Sequence, residues 1–179
     1  MAGVQAERGG GTVKRRLIRQ VCGLAVVAAV GLGLTPALAS ASPEGAGAPD
    51  QFGTAPALPR SGGGFDSSNV GASKQVGEPN HANNVGGRSV WFRFRPNQSG
   101  TVRVSTAGSN FDTLLAVYTG TQVNNLTRIR QDDDSGPGST SRLQFQAQSG
   151  VVYRIAIDGY RAMSGPAASG YISFSVRYL

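Results

Sequence analysis

Apolar and polar residues alternate along much of the second half of the chain, and this alternation predicts β-strands. In segment 89–95, apolar residues occupy the even positions, whereas Trp91, Arg93 and Arg95 occupy odd ones. A period of two places these sets on opposite faces of a strand. The same period recurs in segments 101–105, 142–147, 151–157 and 171–178. We expect each of these segments to bury one face.

Three further segments complete the predicted set of strands. Segment 114–118 is apolar at nearly every position, which is typical of a central strand covered on both sides. In segment 126–130 the apolar residues do not stay at alternate positions, so this segment predicts a weaker strand. Segment 69–74 is a candidate edge strand. Turn-forming residues separate the segments. The pattern therefore predicts an all-β fold: an antiparallel two-sheet β-sandwich, jelly-roll-like, with seven or eight strands.

The first 39 residues have the features of an export signal. Basic residues precede a 14-residue apolar run, 21–34, which is too short for a comfortable membrane span. Small residues then favour cleavage after Ala39 or, as a second option, after Ala41. An uncleaved anchor is the alternative, and Arg15-Arg16 leaves open whether export is general secretory or twin-arginine. We expect a secreted protein with no stable membrane span after processing.

Removing this leader changes what charge and cysteine content imply. The chain carries +7, but its first 39 residues hold five basic residues and one acidic residue, so the remainder carries +3. Nucleic acid is therefore not indicated as a partner. The single cysteine, Cys22, lies in the leader, so disulfides and thiol chemistry are not expected in the mature chain. Residues 40–64 are rich in Ala, Pro, Gly and Ser and predict a flexible linker before a domain at 65–179.

Several motifs occur in a fixed order across this domain. Gly77-Glu78-Pro79-Asn80-His81 opens the series, and segments 89–94, 108–120 and 124–127, the acidic run 132–134 and segment 153–159 follow. In this order they resemble the bacterial pre-peptidase C-terminal domain, a secreted β-sandwich often appended to extracellular hydrolases. The resemblance covers roughly residues 65–179. It implies a module that is not itself the hydrolase, although no peptidase domain accompanies it here.

Catalytic signatures are sparse in the sequence. Nucleophile elbows, His-Glu-x-x-His motifs and phosphate-cradling glycine loops do not occur. A triad would have to use His81, the one histidine, with a serine and with Asp112, Asp132 or Asp158. The alternative role for His81 is a hydrogen bond to loop backbone. We therefore expect no enzyme activity and keep a small hydrolase as the alternative.

Acidic residues give a more specific candidate for chemistry. Calcium binds six to eight oxygens in flexible loops. Loop carboxylates at one end of the sandwich are candidate ligands for a calcium ion, and they are Glu78, Asp112, Asp132, Asp133, Asp134 and Asp158. The alternative is that these are solvated or amide-capping turn residues.

The odd positions of segment 89–95 form a candidate binding face. An outward Trp91 flanked by Arg93 and Arg95 would stack on a sugar or peptide, or pair with an anionic polymer. The alternative is a tryptophan covered by a loop, with arginines that keep a sheet edge soluble.

These features lead to a functional hypothesis. We expect a secreted, non-catalytic module that binds an extracellular polysaccharide or protein, or assists a secreted peptidase. A purely structural or secretion-assisting domain is a third alternative.

Overall fold

The computed structural model describes residues 49–179, which fold into two four-stranded antiparallel sheets. A short 3₁₀ helix, Phe52–Thr54, precedes the first strand. The eight strands are β1 (Gly63–Ser68), β2 (Val90–Phe94), β3 (Gly100–Ser105), β4 (Thr113–Gln122), β5 (Asn125–Asp132), β6 (Arg142–Ala147), β7 (Tyr153–Gly159) and β8 (Tyr171–Tyr178). The predicted leader and residues 40–48 lie outside the described residues. Within residues 49–179 no helix has the length and apolar character that crossing a bilayer requires.

The strand order is that of an eight-stranded jelly roll. One sheet runs β1-β8-β3-β6 and the other β2-β7-β4-β5, so segments distant in sequence are neighbours in each sheet. This confirms the predicted all-β sandwich.

The main core lies between the two sheets, and the period of two explains its composition. Val90, Phe92 and Phe94 of β2 are all buried, as the alternation predicts. Alternate residues of β6 and β8 face the same core. In β4, Thr113–Tyr118 is buried at every position, because the main core covers one face and a second cluster covers the other.

The second cluster lies on the outer face of the β2-β7-β4-β5 sheet, beneath the segment 49–62, which we call the strap. Phe52 and Ala55 of the strap are buried against Trp91 and Tyr118. Strap and β2 also share backbone hydrogen bonds, from Arg93 N to Pro56 O (2.8 Å) and from Leu58 N to Arg93 O (2.8 Å). The prediction of a flexible linker is therefore wrong for residues 49–64. Burial of Phe52 and Ala55 and the hydrogen bonds to the edge strand β2 hold this segment in place. Its composition did not indicate either interaction.

The predicted edge strand at 69–74 is also wrong, since the edge of that sheet is β1 at Gly63–Ser68. Asn69 is fully buried in the following loop. Its Nδ2 donates to Arg88 O (3.0 Å) and Ala168 O (3.2 Å), while its Oδ1 accepts from Gly170 N (2.8 Å). These side-chain bonds join three loops and take the place of a strand ladder.

Candidate functional site

Three of the predicted metal ligands meet at one end of the sandwich. Asp112 immediately precedes β4, and Asp133 and Asp134 immediately follow β5. Because β4 and β5 pair antiparallel, with Leu115 opposite Asp132, the start of one strand lies beside the end of the other. One carboxylate oxygen from each aspartate lies within 4.8 Å of the other two. We call these three residues the carboxylate cluster.

The cluster contains oxygens that the protein itself does not satisfy. Asp112 Oδ1 and Asp133 Oδ1 are enclosed and accept no hydrogen bond among the described residues. Burial, followed by the charge of Asp134, raises the pKa of Asp112. Burial, followed by the charges of Asp134, Asp112 and Asp132, raises the pKa of Asp133 to about 6. The site therefore concentrates negative charge that a cation would neutralise.

Asp132 adjoins the cluster but has a different role. Its carboxylate accepts hydrogen bonds from Ser135 N (3.0 Å), Ser135 Oγ (2.6 Å) and Arg142 N (2.8 Å). These bonds close the loop between β5 and β6, as turn aspartates commonly do. Its assignment as a metal ligand is not supported by these contacts, although its charge acts on Asp133.

Asp158 lies away from the cluster, so its prediction as a metal ligand is wrong. It is fully buried, and its Oδ1 accepts from Gly87 N (3.0 Å), Arg88 N (2.7 Å) and Gly159 N (2.7 Å). Gly86 has φ +54°, and a Cβ there would lie 1.8 Å from Asp158 Oδ2. This carboxylate therefore holds the loop before β2, which approaches closely only because residue 86 is glycine.

Glu78 is also separate from the carboxylate cluster, so its prediction as a metal ligand is wrong. Its Oε1 is 2.9 Å from His81 Nε2, and its Oε2 accepts from Gln75 N (3.0 Å). Burial alone would raise the pKa of Glu78, but hydrogen bonds from His81, Ser89 and Gln75 outweigh it and lower that pKa. The carboxylate is thus occupied by protein partners.

His81 is fully buried, and both of its ring nitrogens have partners. Nδ1 is 2.8 Å from Tyr118 Oη, and Nε2 contacts Glu78. Neither partner is a serine or an aspartate, so these contacts are not those of a Ser-His-Asp triad. Burial also raises the pKa of Tyr118. The sequence did not indicate Tyr118 as the partner, because 37 residues separate the two side chains.

Trp91 is fully buried, and its predicted role in ligand binding is wrong. Its ring lies 5.1 Å from that of Phe52, nearly perpendicular, and 5.4 Å from that of His81. The side chain points away from the main core, as the alternation predicts, but the strap covers it. Arg93 and Arg95 remain exposed.

Fold and site together define the class of this protein as a jelly-roll β-sandwich domain with a carboxylate cluster at one end. No family model matches the chain, and no curated protein matches it. The resemblance to the pre-peptidase C-terminal domain therefore stays a prediction.

Proposed function

We propose that this chain is a secreted, non-catalytic β-sandwich module that binds calcium at the carboxylate cluster and attaches to an extracellular polysaccharide or protein. Assistance to a secreted peptidase is the related role. The carboxylate cluster is the observation that carries the proposal, because two of its oxygens are enclosed without a donor. The leader in the sequence supports secretion, and the contacts of His81 give no support to the hydrolase alternative.

Calcium suits this cluster better than magnesium for a geometric reason. The three side chains come from two loops flanking a strand pair, so their oxygens need not form a regular octahedron. Calcium accepts irregular cages of six to eight oxygens, whereas magnesium requires near-octahedral geometry and keeps its waters. When bound, the ion would neutralise the cluster and link the start of β4 to the end of β5.

Calcium should therefore raise the thermal midpoint of the purified protein. An ion that binds only the folded state stabilises it by about 2.7 kcal/mol at a hundredfold excess over Kd. We expect a rise with millimolar calcium, a smaller rise with magnesium and a reversal by chelator. The Asp133→Asn, Asp134→Asn double variant should fold and lose the response. The measurement is differential scanning calorimetry with isothermal titration of the metal.

A matched control distinguishes a site from a general charge effect. The Asp50→Asn, Asp66→Asn double variant makes the same change in charge outside the cluster and should keep the calcium response. A flat melting temperature in calcium, with no bound metal by elemental analysis, would show that the cluster is an ordinary acidic loop.

Attachment is tested separately, by incubating the protein with insoluble extracellular polysaccharides and immobilised secreted proteins. Retention that survives washing at physiological salt supports a binding module. If nothing is retained while the calcium response is intact, the domain is the structural or secretion-assisting alternative.

A further inference from the structure

A cleft of about 320 Å³ lies on the surface where the strap meets the end of β2. Its lining residues are Ala57, Leu58, Arg60, Arg93, Arg95 and Val152. Half of these side chains are arginines, and all three arginines are exposed. We call this feature the arginine cleft.

The three guanidinium groups are held in place through one nitrogen each. Arg93 Nε donates to Ala55 O (2.7 Å), Arg95 Nε to Gly150 O (2.9 Å) and Arg60 Nε to Arg95 O (3.3 Å). Their terminal nitrogens have no hydrogen-bond partner within residues 49–179. An anchored Nε leaves the paired Nη atoms free for a bidentate contact, and it limits the entropy lost when an oxyanion binds.

A fourth arginine is a neighbour of Arg93, although it does not line the cleft. Arg154 lies directly opposite Arg93 in the pairing of β2 with β7, and its Cζ is 4.4 Å from the centre of the Phe52 ring. Its Nε and Nη1 are enclosed and unpartnered. Burial and the neighbouring Arg93 lower the pKa of Arg154. Like charges directly opposite each other destabilise a strand pair unless something neutralises them.

Within residues 49–179, no carboxylate supplies a counter-charge to these arginines. In the described part of the chain, the Glu78–His81 contact is the one ion pair within 4.0 Å, so no arginine is paired with a carboxylate. The charge of Arg93 acts on Arg154, and an anion bound beside Arg93 would reduce the repulsion between the two guanidinium groups.

We propose that the arginine cleft binds oxyanions, namely the carboxylate or sulfate groups of an anionic polysaccharide. This assignment rests on the proposed attachment function and specifies the partner as a polysaccharide that carries carboxylate or sulfate groups. Arg93 lies in β2 and Arg95 immediately follows its end, two residues further along extended chain, so their backbones are about 7 Å apart. A polymer with closely spaced charges can engage both. Nucleic acid fits less well, because the lining offers no aromatic ring on which a base could stack.

The test measures binding of dextran sulfate, polygalacturonate and uncharged dextran at fixed ionic strength. In the Arg93→Gln, Arg95→Gln double variant, affinity for the two charged polymers should fall roughly tenfold or more. The matched control is Arg103→Gln, Arg177→Gln, which removes two facing arginines from the β1-β8-β3-β6 sheet. That variant should lose much less affinity. Equal losses would mean that net charge alone governs binding and would overturn the proposal.

A second measurement uses inorganic sulfate and does not depend on a polymer. Sulfate stabilises most proteins by exclusion from their surface, so the relevant quantity is the difference between variants. We expect the midpoint of the native chain and of the control variant to rise more with sulfate than that of the Arg93→Gln, Arg95→Gln variant. Equal rises in all three would overturn the oxyanion site.

Two further comparisons test the contribution of Arg60 and the choice of partner. Arg60→Gln removes the most weakly anchored guanidinium, should leave the strand pairing intact and should weaken polymer binding in part. Single-stranded DNA bound as tightly as dextran sulfate, and equally sensitive to Arg93 and Arg95, would overturn the polysaccharide assignment. If both double variants retained uncharged dextran, the arginine cleft would not be the attachment site, but the proposed attachment function would stand. If sulfate raised the midpoint in an arginine-dependent way while no polymer was retained, the oxyanion site would stand, but the proposed attachment function would not.

Discussion

At the scale of single residues, the pleat determines where a side chain points but not what covers it. Val90, Phe92 and Phe94 point into the main core, as their spacing predicts. Trp91 points the other way and is nevertheless fully buried, because Phe52 lies against it from 39 residues earlier in the chain. Exposure on an outer face is therefore a property of the tertiary structure.

Asp133 gives a prediction about pH. Its pKa is raised from an ordinary value of 3.8 to about 6, so the folded state holds the proton more tightly than the unfolded chain. The negative charge of Asp133 therefore lowers the free energy of unfolding, and this destabilisation reaches its full size above about pH 6. It declines as the pH falls and disappears near 3.8, where Asp133 is protonated in the folded state. In chelator, Asp133→Asn should melt higher than the native chain at pH 7.5, and the difference should shrink towards pH 4.

Calcium provides the internal control for this experiment. With millimolar calcium at pH 7.5 the order should reverse, because the native carboxylate becomes a ligand that the amide replaces poorly. Thermal melts in chelator and in calcium across this pH range measure both effects. Identical melting of the two proteins at every pH in chelator would show that Asp133 is well solvated.

At the scale of elements, the strap completes the outer face of the β2-β7-β4-β5 sheet. It pairs with the edge strand β2 and covers Trp91, so neither the edge nor the indole is open to solvent. It also supplies Arg60 and one wall of the arginine cleft. One segment therefore has both a stabilising role and a place in the proposed binding site.

Phe52→Ala should loosen the strap and expose Trp91. Truncation of a buried phenylalanine typically costs about 3–5 kcal/mol, and here it also removes the ring beneath Arg154. Trp91 is the only tryptophan, so its emission should shift to longer wavelength and become more accessible to acrylamide. Val76→Ala, at a fully exposed position, should change neither property. Unchanged emission in Phe52→Ala would show that the strap does not shield the indole.

At the scale of the whole molecule, the jelly-roll topology makes the stability of the domain depend on the residue at which it begins. β1 pairs only with β8, at the other end of the chain, and the strap leads directly into β1. A boundary at residue 65 removes the strap and the first two residues of β1. A boundary at residue 49 keeps both.

The fragment 65–179 should therefore be less stable than the fragment 49–179. We expect a lower denaturant midpoint and concentration-dependent light scattering, because an uncovered β2 edge and an exposed Trp91 favour association. Chemical denaturation and static light scattering of the two fragments provide the comparison. Equal midpoints would indicate that residues 49–64 contribute nothing to the fold.

The sequence by itself determined seven of the eight strands, β2 to β8, and the core-facing positions of most of them, but it did not indicate β1. Period-two alternation is a local property, so Phe92, Phe145, Ile155 and Phe174 could be assigned to the core without knowing the strand order, and all four are buried there. The all-β class and the sandwich followed from the same pattern. Segment 69–74 was misassigned because the hydrogen bonds of Asn69 reach across three loops.

The tertiary structure alone decided which polar residues meet. The pairing of β4 with β5 joins Asp112 to Asp133 and Asp134, whereas Asp158 and Glu78 turn to partners elsewhere. The pairing of β2 with β7 sets Arg154 beside Arg93, and the strap converts an outward tryptophan into a buried one. These contacts depend on which strands are neighbours and on segments distant in sequence, and periodicity along a single strand specifies neither.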